Sequence, residues 1–272
     1  MYITSEETIE LLNMVNDRYG YDFSEYAESS IKRRINRFAD IHKFDNYFDI
    51  KHHLLNDESL FASFVIEITV NVTEMFRDPT FFKSLQNNVF PILKTYPYRK
   101  IWNAGCSTGE EAYSIAILLS ENNLYNRTKI YGTDINSEVI KKAKEGIYSL
   151  KLMKGYTTNY IKSNGSSSFS EYYTAHYDSS IMNQNLKKNL IFSVHNLVSD
   201  KSFNEFNMIL CRNVLIYFNQ KLQEKVFQLF HESLGIFGFL ALGSKESMMA
   251  SKYKDKYEVI DKREKIFRKI SE

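Results

Sequence analysis

"IWNAGCSTGEEAYSIAILL", residues 101–119, is the stretch whose reading decides the fold. Ile101 and Trp102 close an apolar run that reads as a strand, and Gly105 to Gly109 form a tight turn. Ala112, Ile115, Ala116 and Leu119 then recur at the three-and-four spacing of a helix face. A strand, a glycine turn and a helix N-terminus in succession let backbone N–H groups approach a ligand. The partial positive charge at the helix end suits a carboxylate or a phosphate. The same residues also fit an ordinary β-turn-α connection, since they hold one glycine fewer than G-x-G-x-x-G and no Walker lysine.

The next strand narrows the choice. "KIYGTDIN", 129–136, ends in Asp134, some 25 residues past Gly109. An acid at the end of the second strand, at this spacing, is placed to accept hydrogen bonds from the ribose hydroxyls of a nucleoside. Alone it could equally be the N-cap of a helix starting at Ile135 or Asn136. Coupled to the glycine turn, the nucleoside reading is favoured.

Around this centre the chain divides in two. Thr4 and Glu7 form a capping box for a first helix with Ile9, Leu12, Val15 and Tyr19 on one face. Further helical patterns follow at 24–39, 44–55, 58–70 and 79–95, Pro79 standing near a helix start. From Lys100 strands and helices alternate: strand 100–104, helix 109–123, strand 128–133, helix 136–146, strands 190–194 and 206–210, helix 219–234, strand 237–242. That order predicts an α/β fold, a doubly wound, mostly parallel sheet, with an N-terminal all-α domain. Residues 150–188, rich in Tyr, Ser and Asn, read as a small insertion of short antiparallel strands with "SNGSSS" at a loop tip, or as a loop. "YEVIDKREKIFRKI" supplies a final hairpin whose lysines suit a sheet edge. The domain boundaries expected are 1–75, a linking helix at 76–99, and 100–272.

Composition excludes several classes. With 272 residues, 43% of them apolar, the chain can bury a substantial core, and no apolar run is long enough to cross a bilayer. Residues 1–20 carry Glu6, Glu7, Glu10 and Asp17 where a signal peptide would be basic and then apolar, so a cytoplasmic location is expected. Cys106 and Cys211 stand far apart beside strand ends, which favours reduced core residues over a disulfide or a metal site. No His/Cys ligand set is seen, so no metal is expected. A formal charge of +2 is too small to imply a polyanionic partner such as a nucleic acid.

Five segments in order, "NVTEMFRD" (71–78), "WNAGCSTGEEAYS" (102–114), "GTDIN" (132–136), "HNL" (195–197) and "CRNVLIYF" (211–218), resemble the CheR family, the chemotaxis receptor methyltransferases. The resemblance covers nearly the whole chain. It implies a class I S-adenosylmethionine-dependent methyltransferase fold with a β-subdomain insertion. It also implies an enzyme that methylates glutamate side chains on the cytoplasmic helices of methyl-accepting chemotaxis receptors, working as a monomer and without membrane insertion. Carried over motif by motif, the cofactor positions are Asn71, Thr73, Arg77, Gly105, Glu111, Asp134, Asn196, Leu197, Arg212 and Asn213. Arg77 and Tyr217 match the residues nearest the transferred methyl. Two departures stand out: Ala112 where the family often has proline, and "KSNGSSS" in place of the G-x-G loop of members that grip a receptor's C-terminal tether. Rival readings are a methyltransferase for another acceptor and a non-catalytic cofactor- or receptor-binding scaffold.

The chemistry agrees with the residues present. A glutamate carboxylate, pKa about 4.3, is already ionised at neutral pH, so its methylation requires no general base. The six histidines form no Ser-His arrangement in the sequence. For the protein substrate, "IKRRINR" (31–37) sets Arg33 and Arg37 one helical turn apart with Arg34 beside them. Residues 1–70 carry seven Lys/Arg, this stretch included, against thirteen Asp/Glu. A basic stripe on an acidic domain suits a glutamate-rich helix better than a nucleic acid, and it also suits a solvated face with i,i+4 pairs.

Overall fold

The structure, a computed structural model, describes residues 3–69 and 72–272. In chain order the helical part comprises α1 (Ser5–Tyr19), α2 (Glu28–His42), α3 (Tyr47–Asn56) and α4 (Glu58–Thr69). The capping box is present: Thr4 Oγ1 accepts from Glu7 N at 3.1 Å and Glu7 Oε2 from Thr4 N at 2.8 Å. The face that α1 buries is Thr8, Leu11, Leu12 and Val15; Ile9, expected inside, points to solvent. α2 starts at Glu28 rather than near 24, because Asp22 turns the preceding chain by accepting from the amide and hydroxyl of Ser24. Ile31, Ile35, Phe38 and Ala39 form its inner stripe.

The second part begins with α5 (Pro79–Ser84), a π turn (Leu85–Val89) and α6 (Phe90–Leu93), where one helix over 79–95 is expected. Pro91 explains the π turn: a proline inside a helix removes a donor and crowds the preceding carbonyls, and Phe90 N instead reaches back five residues to Leu85 O. There follow β1 (Arg99–Ala104), α7 (Glu110–Glu121), β2 (Thr128–Asp134), α8 (Ser137–Glu145), β3 (Ile147–Ser149), α9 (Leu150–Lys162), β4 (Tyr173–His176), β5 (Ser179–Met182) and α10 (Gln184–Lys187). The chain then continues through β6 (Leu190–Val194), β7 (Phe206–Cys211), α11 (Gln220–Ser233), β8 (Leu234–Leu242), β9 (Tyr257–Asp261) and β10 (Ile266–Lys269).

Two compact units result: residues up to 71 with 216–225, and residues 72–215 with 226–272. The segment 76–99, expected as a linker, lies within the second unit, where Phe76, Phe81, Phe82, Leu85 and Leu93 join the buried core. The seven-stranded sheet runs β6-β2-β1-β7-β8-β10-β9, and only β10 runs against the rest. The strand order reverses between β1 and β7. In such sheets the crevice outside the carboxyl ends at that switch point is where ligands bind.

The insertion differs in content. Its sheet, β3-β5-β4, is antiparallel as expected, but its first half is a helix, α9. "LKLMKGYTTNYIK" carries Gly155, two threonines and two tyrosines, all modest helix formers, so its helicity comes from burying Met153, Tyr156 and Tyr160. Ser163 to Ser168 do form a loop. At the other end of the sheet, β9 is the outer strand, and it presents Glu258 and Val259 rather than lysines. Lys269, on β10, is buried, its Nζ donating to the carbonyls of His231 and Leu234.

Candidate active site

Parallel pairing sets the site. β1 and β2 are in register from Arg99↔Thr128 to Ala104↔Thr133, so both chains leave the sheet side by side. Gly105 and Cys106 each donate a backbone N–H to Thr133 O, at 2.8 and 2.9 Å, which folds the glycine turn across the end of β2. Gly105, Ser107 and Gly109 all take left-handed backbone conformations (φ 72°, 50° and 94°). At Gly105 a Cβ would stand 2.4 Å from Val214 Cγ2, so a side chain there collides as well as strains. Cys106 and Cys211 are free and buried.

Asp134 is drawn into this turn. Its Oδ2 accepts from Ser107 N at 2.9 Å and its Oδ1 from Asn136 N at 3.0 Å. The N-cap of α8 is Asn136, whose Oδ1 accepts from Glu138 N, so Asp134 is free of the capping role that the sequence left open. Burial pushes its carboxyl above the ordinary range, opposed by backbone hydrogen bonds from Asn136, Ser107 and Ile135. Near it, Ser107 Oγ and Asn136 Nδ2 are buried without a hydrogen-bond partner, as is Asn103 Oδ1 on β1. Unpaired buried polar atoms at the carboxyl ends of β1 and β2 are groups a hydroxylated, amino-bearing ligand would satisfy.

A second cluster flanks the turn. Glu111, in the first turn of α7, accepts from Asn103 Nδ2 (2.8 Å) and from Arg212 Nη1 (2.5 Å). Arg212 also pairs with Asp78 at 2.7 Å, and its guanidinium lies 3.9 Å from the centre of the Phe81 ring. With a side chain 2% exposed, Arg212 is a buried strut between two carboxylates, and its Nε is left without a hydrogen-bond partner. Asn213, next along, is left-handed (φ 63°) and half-buried.

Arg77 sits on a strained pedestal. Phe76 and Asp78, on either side, both have positive φ (55° and 59°), conformations that cost non-glycine residues about 1–3 kcal/mol each. They are held by Phe76 N donating to Ser114 Oγ at 3.0 Å, by the buried Phe76 ring, and by the Asp78–Arg212 pair. Arg77 is half-buried, and its Nη1 donates to Val72 O at 3.2 Å. Asp78, its neighbour in the chain, is engaged by Arg212. Thr73 lies half-buried just upstream, and Asn71 lies outside the described residues. Beyond β6, Asn196 Oδ1 accepts from Val198 N while its own N–H donates to Asp200, a tight turn that buries Leu197.

Tyr217 belongs to the first unit, as do Arg33, Arg34 and Arg37. Arg33 is exposed. Arg37 is largely exposed with its Nε 3.4 Å from Glu67 Oε1, and Arg34 Cζ stands 5.3 Å from the centre of the Tyr217 ring.

Sequence reasoning missed Glu246. From the loop after β8, its buried carboxylate accepts four backbone N–H groups: Val214 and Leu215 on Oε1 (both 2.8 Å), and Asn213 (3.1 Å) and Gly243 (2.5 Å) on Oε2. It fixes the turn that follows Arg212. A lone Glu in "GSKES" carries no sequence signal, because three of its four donors lie some thirty residues upstream. At the opposite, N-terminal ends of β1 and β2, Lys94, Arg99 and Arg127 line an open cleft. There Arg99 is structural, donating to the carbonyls of Leu93, Tyr96 and Leu124 and to Thr128 Oγ1. Among the described residues no group of three or more His, Cys, Asp or Glu could hold a metal ion, and no helix is long and apolar enough to cross a membrane.

Comparison with known families fits this geometry. Residues 71–266 match the SAM-binding domain of CheR methyltransferases, and residues 6–69 match their all-alpha domain. The chain belongs to the CheR methyltransferases. It is 46% identical to a Pseudomonas putida protein named "Putative methyltransferase Cher3" over 261 residues, covering 95% of each chain. It is 32% identical to a chemotaxis protein methyltransferase of Listeria monocytogenes, covering 85% of this chain and 86% of that one. For the protein of the same name in Salmonella typhimurium the identity is 33%, with 68% and 63% covered. A CheR methyltransferase uses S-adenosylmethionine, and the unpaired Ser107, Asn136 and Asn103 groups beside a strand-end acid fit an adenosyl ligand. The central sheet is accordingly that of a class I methyltransferase, with the all-α domain before it and the small antiparallel sheet inserted.

Proposed function

We propose that this chain transfers the methyl of S-adenosylmethionine to glutamate side-chain carboxylates on the cytoplasmic helices of methyl-accepting chemotaxis receptors, giving γ-glutamyl methyl esters. The observation that carries the reading is Asp134 beside the left-handed 105–109 turn, in a chain of the CheR family. The cofactor supplies the electrophilic methyl on a sulfonium. Asp134 would take the ribose hydroxyls, the 105–109 turn and Glu111 the amino-acid end, and Asn196 and Leu197 the adenine. Thr73, Arg77 and Asn213 complete the cofactor set, with Asn71 joining them on the motif alone and Arg212 holding Glu111.

The acceptor arrives ionised, so the protein's work is alignment and water exclusion. Charge is annihilated in the transfer, as sulfonium and carboxylate become thioether and ester. In-line positioning contributes up to several kcal/mol. Arg77 is suited to orient a carboxylate by forked hydrogen bonds, and Tyr217 to shape the methyl's path with its ring or hydroxyl. Arg33 and Arg37, the exposed arginines of α2, are assigned to the receptor helix.

Incubation with methyl-labelled cofactor and receptor cytoplasmic fragments, followed by alkali, tests the reading. Esters release volatile methanol. An N-methyl product retains its label, which would favour another acceptor, and a scaffold incorporates none. The label is expected to be lost in Arg77→Ala and strongly reduced in Asp134→Ala; alkali-stable label, or none, would overturn the assignment.

A further inference from the structure

The basic stripe of α2 is not one set of equivalent cations. Arg33 is exposed and Arg37 is 69% exposed, whereas Arg34 turns inward. Arg34 Nη1 donates at 3.1 Å to Glu67 O, a carbonyl in the last turn of α4, where helical carbonyls lack an intrahelical donor. Its guanidinium carbon lies 5.3 Å from the centre of the Tyr217 ring, within reach of a cation–π contact. A cation engaged on both sides is a poor candidate for gripping a passing helix.

The Tyr217 backbone is tied to the same unit. Ala27 N donates to Tyr217 O at 2.8 Å, Tyr26 and Phe218 form an antiparallel bridge, and Asn219 N donates to Glu25 O at 3.0 Å. Glu25 further accepts from Asn219 Nδ2 and from Lys221 Nζ, both at 2.8 Å. These bonds fix the main chain of residues 217–219 but leave χ1 and χ2 of Tyr217 to be set by what its ring touches. Arg34 is the cation that touches it. We infer that Arg34 is a positioning residue for Tyr217, holding the ring in one rotamer for methyl transfer, rather than a receptor-docking residue. The inference rests on the functional reading above for its kinetic consequence, and on geometry alone for the contact.

Two measurements separate these. With 3-fluorotyrosine at position 217, the 19F spectrum is expected to show one line, shifted or split in Arg34→Met and near its original position in Arg34→Lys, whose ammonium still sits over the ring. An unchanged line in folded Arg34→Met overturns the contact, whether or not the protein methylates anything. In steady-state assays with labelled cofactor and receptor fragments, Arg34→Met should lower kcat about tenfold with receptor KM held within about twofold. Arg34→Lys should recover most of the loss. In a Tyr217→Leu background the Arg34→Met effect should largely vanish, because the ring it positions is gone. A raised KM at intact kcat, or an equal effect in both backgrounds, overturns the positioning role. If Arg34→Met fails to fold, the equally uncharged Arg34→Gln is taken through the same cycle and read by the same criteria. Wild type that transfers no alkali-labile methyl defeats the proposed function instead, and leaves the 19F test standing.

Discussion

Arg212 and the arginines of α2 are chemically identical groups in opposite situations. The Arg212 side chain is 2% exposed, pairs with Glu111 and Asp78, and covers the Phe81 ring; Arg33 stands in solvent, and Arg37 has one loose partner. A guanidinium removed from water persists only when its charge is paired, and Glu111 and Asp78 supply that pairing, so Arg212 is part of the architecture. An exposed guanidinium contributes little to stability, its median ion pair being about 0–1 kcal/mol, and is correspondingly available for a partner. The difference teaches that motif residues of one type need not share a role: burial and partner count divide struts from contacts.

Replacing Arg212 by Met should give the largest effect. It strands Glu111, 14% exposed, without its cation, and removal of one member of a buried pair costs about 3–5 kcal/mol. Asp78 adds less, since at 42% exposed it resolvates. Denaturant unfolding reads this directly, and a loss below about 1 kcal/mol would erase the distinction drawn above. Glu246→Gln comes next. An amide offers one acceptor oxygen where the carboxylate serves four N–H groups, so buried donors at 213–215 go unmet, at about 1–3 kcal/mol. Weakened S-adenosylhomocysteine binding in calorimetry should accompany it, because Asn213 loses its anchor.

Asp134→Asn tests the site rather than its frame, with cofactor-product affinity expected to fall about tenfold. Its pH dependence has a defined sign. Burial raises the carboxyl's pKa in the folded chain, so around that raised value the folded protein holds a proton the unfolded chain has released. Asp134 therefore lowers stability at higher pH, and that penalty fades as pH falls through the folded value. Ribose hydroxyls favour the ionised form, so wild-type affinity should weaken as pH drops through the same window, and Asp134→Asn should flatten the profile. A profile unchanged by the substitution removes Asp134 from the ribose.

How far the sequence carried this picture depends on whether a feature is local. The strand–turn–helix at 101–119 was legible because glycines at positive φ, apolar periodicity and the acids of α7 all lie within nineteen residues. Asp134 was legible because parallel pairing of consecutive strands places their ends together. The π turn was not, since Pro91 announces a break but not the register that absorbs it. α9 escaped because its helicity is imposed by burial of Met153, Tyr156 and Tyr160 against the composition of the segment. Glu246 and the Arg34–Tyr217 contact join residues 31 or more positions apart through donors and rings that no pattern marks. The family motif found Arg212 but not its pairing with Glu111 and Asp78, because a motif fixes position and says nothing of which way a guanidinium is turned.

The smallest expected effect sharpens the comparison most. Arg33→Glu alters an exposed side chain on α2, so stability should stay within about 0.5 kcal/mol of wild type. Arg37→Glu additionally sets two acids, residue 37 and Glu67, near each other and should cost slightly more. If these arginines meet a glutamate-rich helix, each reversal replaces an attraction by a repulsion: receptor KM should rise about threefold at low salt, with cofactor affinity unchanged. Because the contact would lie in solvent, the difference should shrink as ionic strength brings the Debye length to about 8 Å or less. A KM that ignores both the reversal and the salt would make the exposed face of α2 a solvated surface like any other. A large loss of stability would show that exposure had been misread as availability.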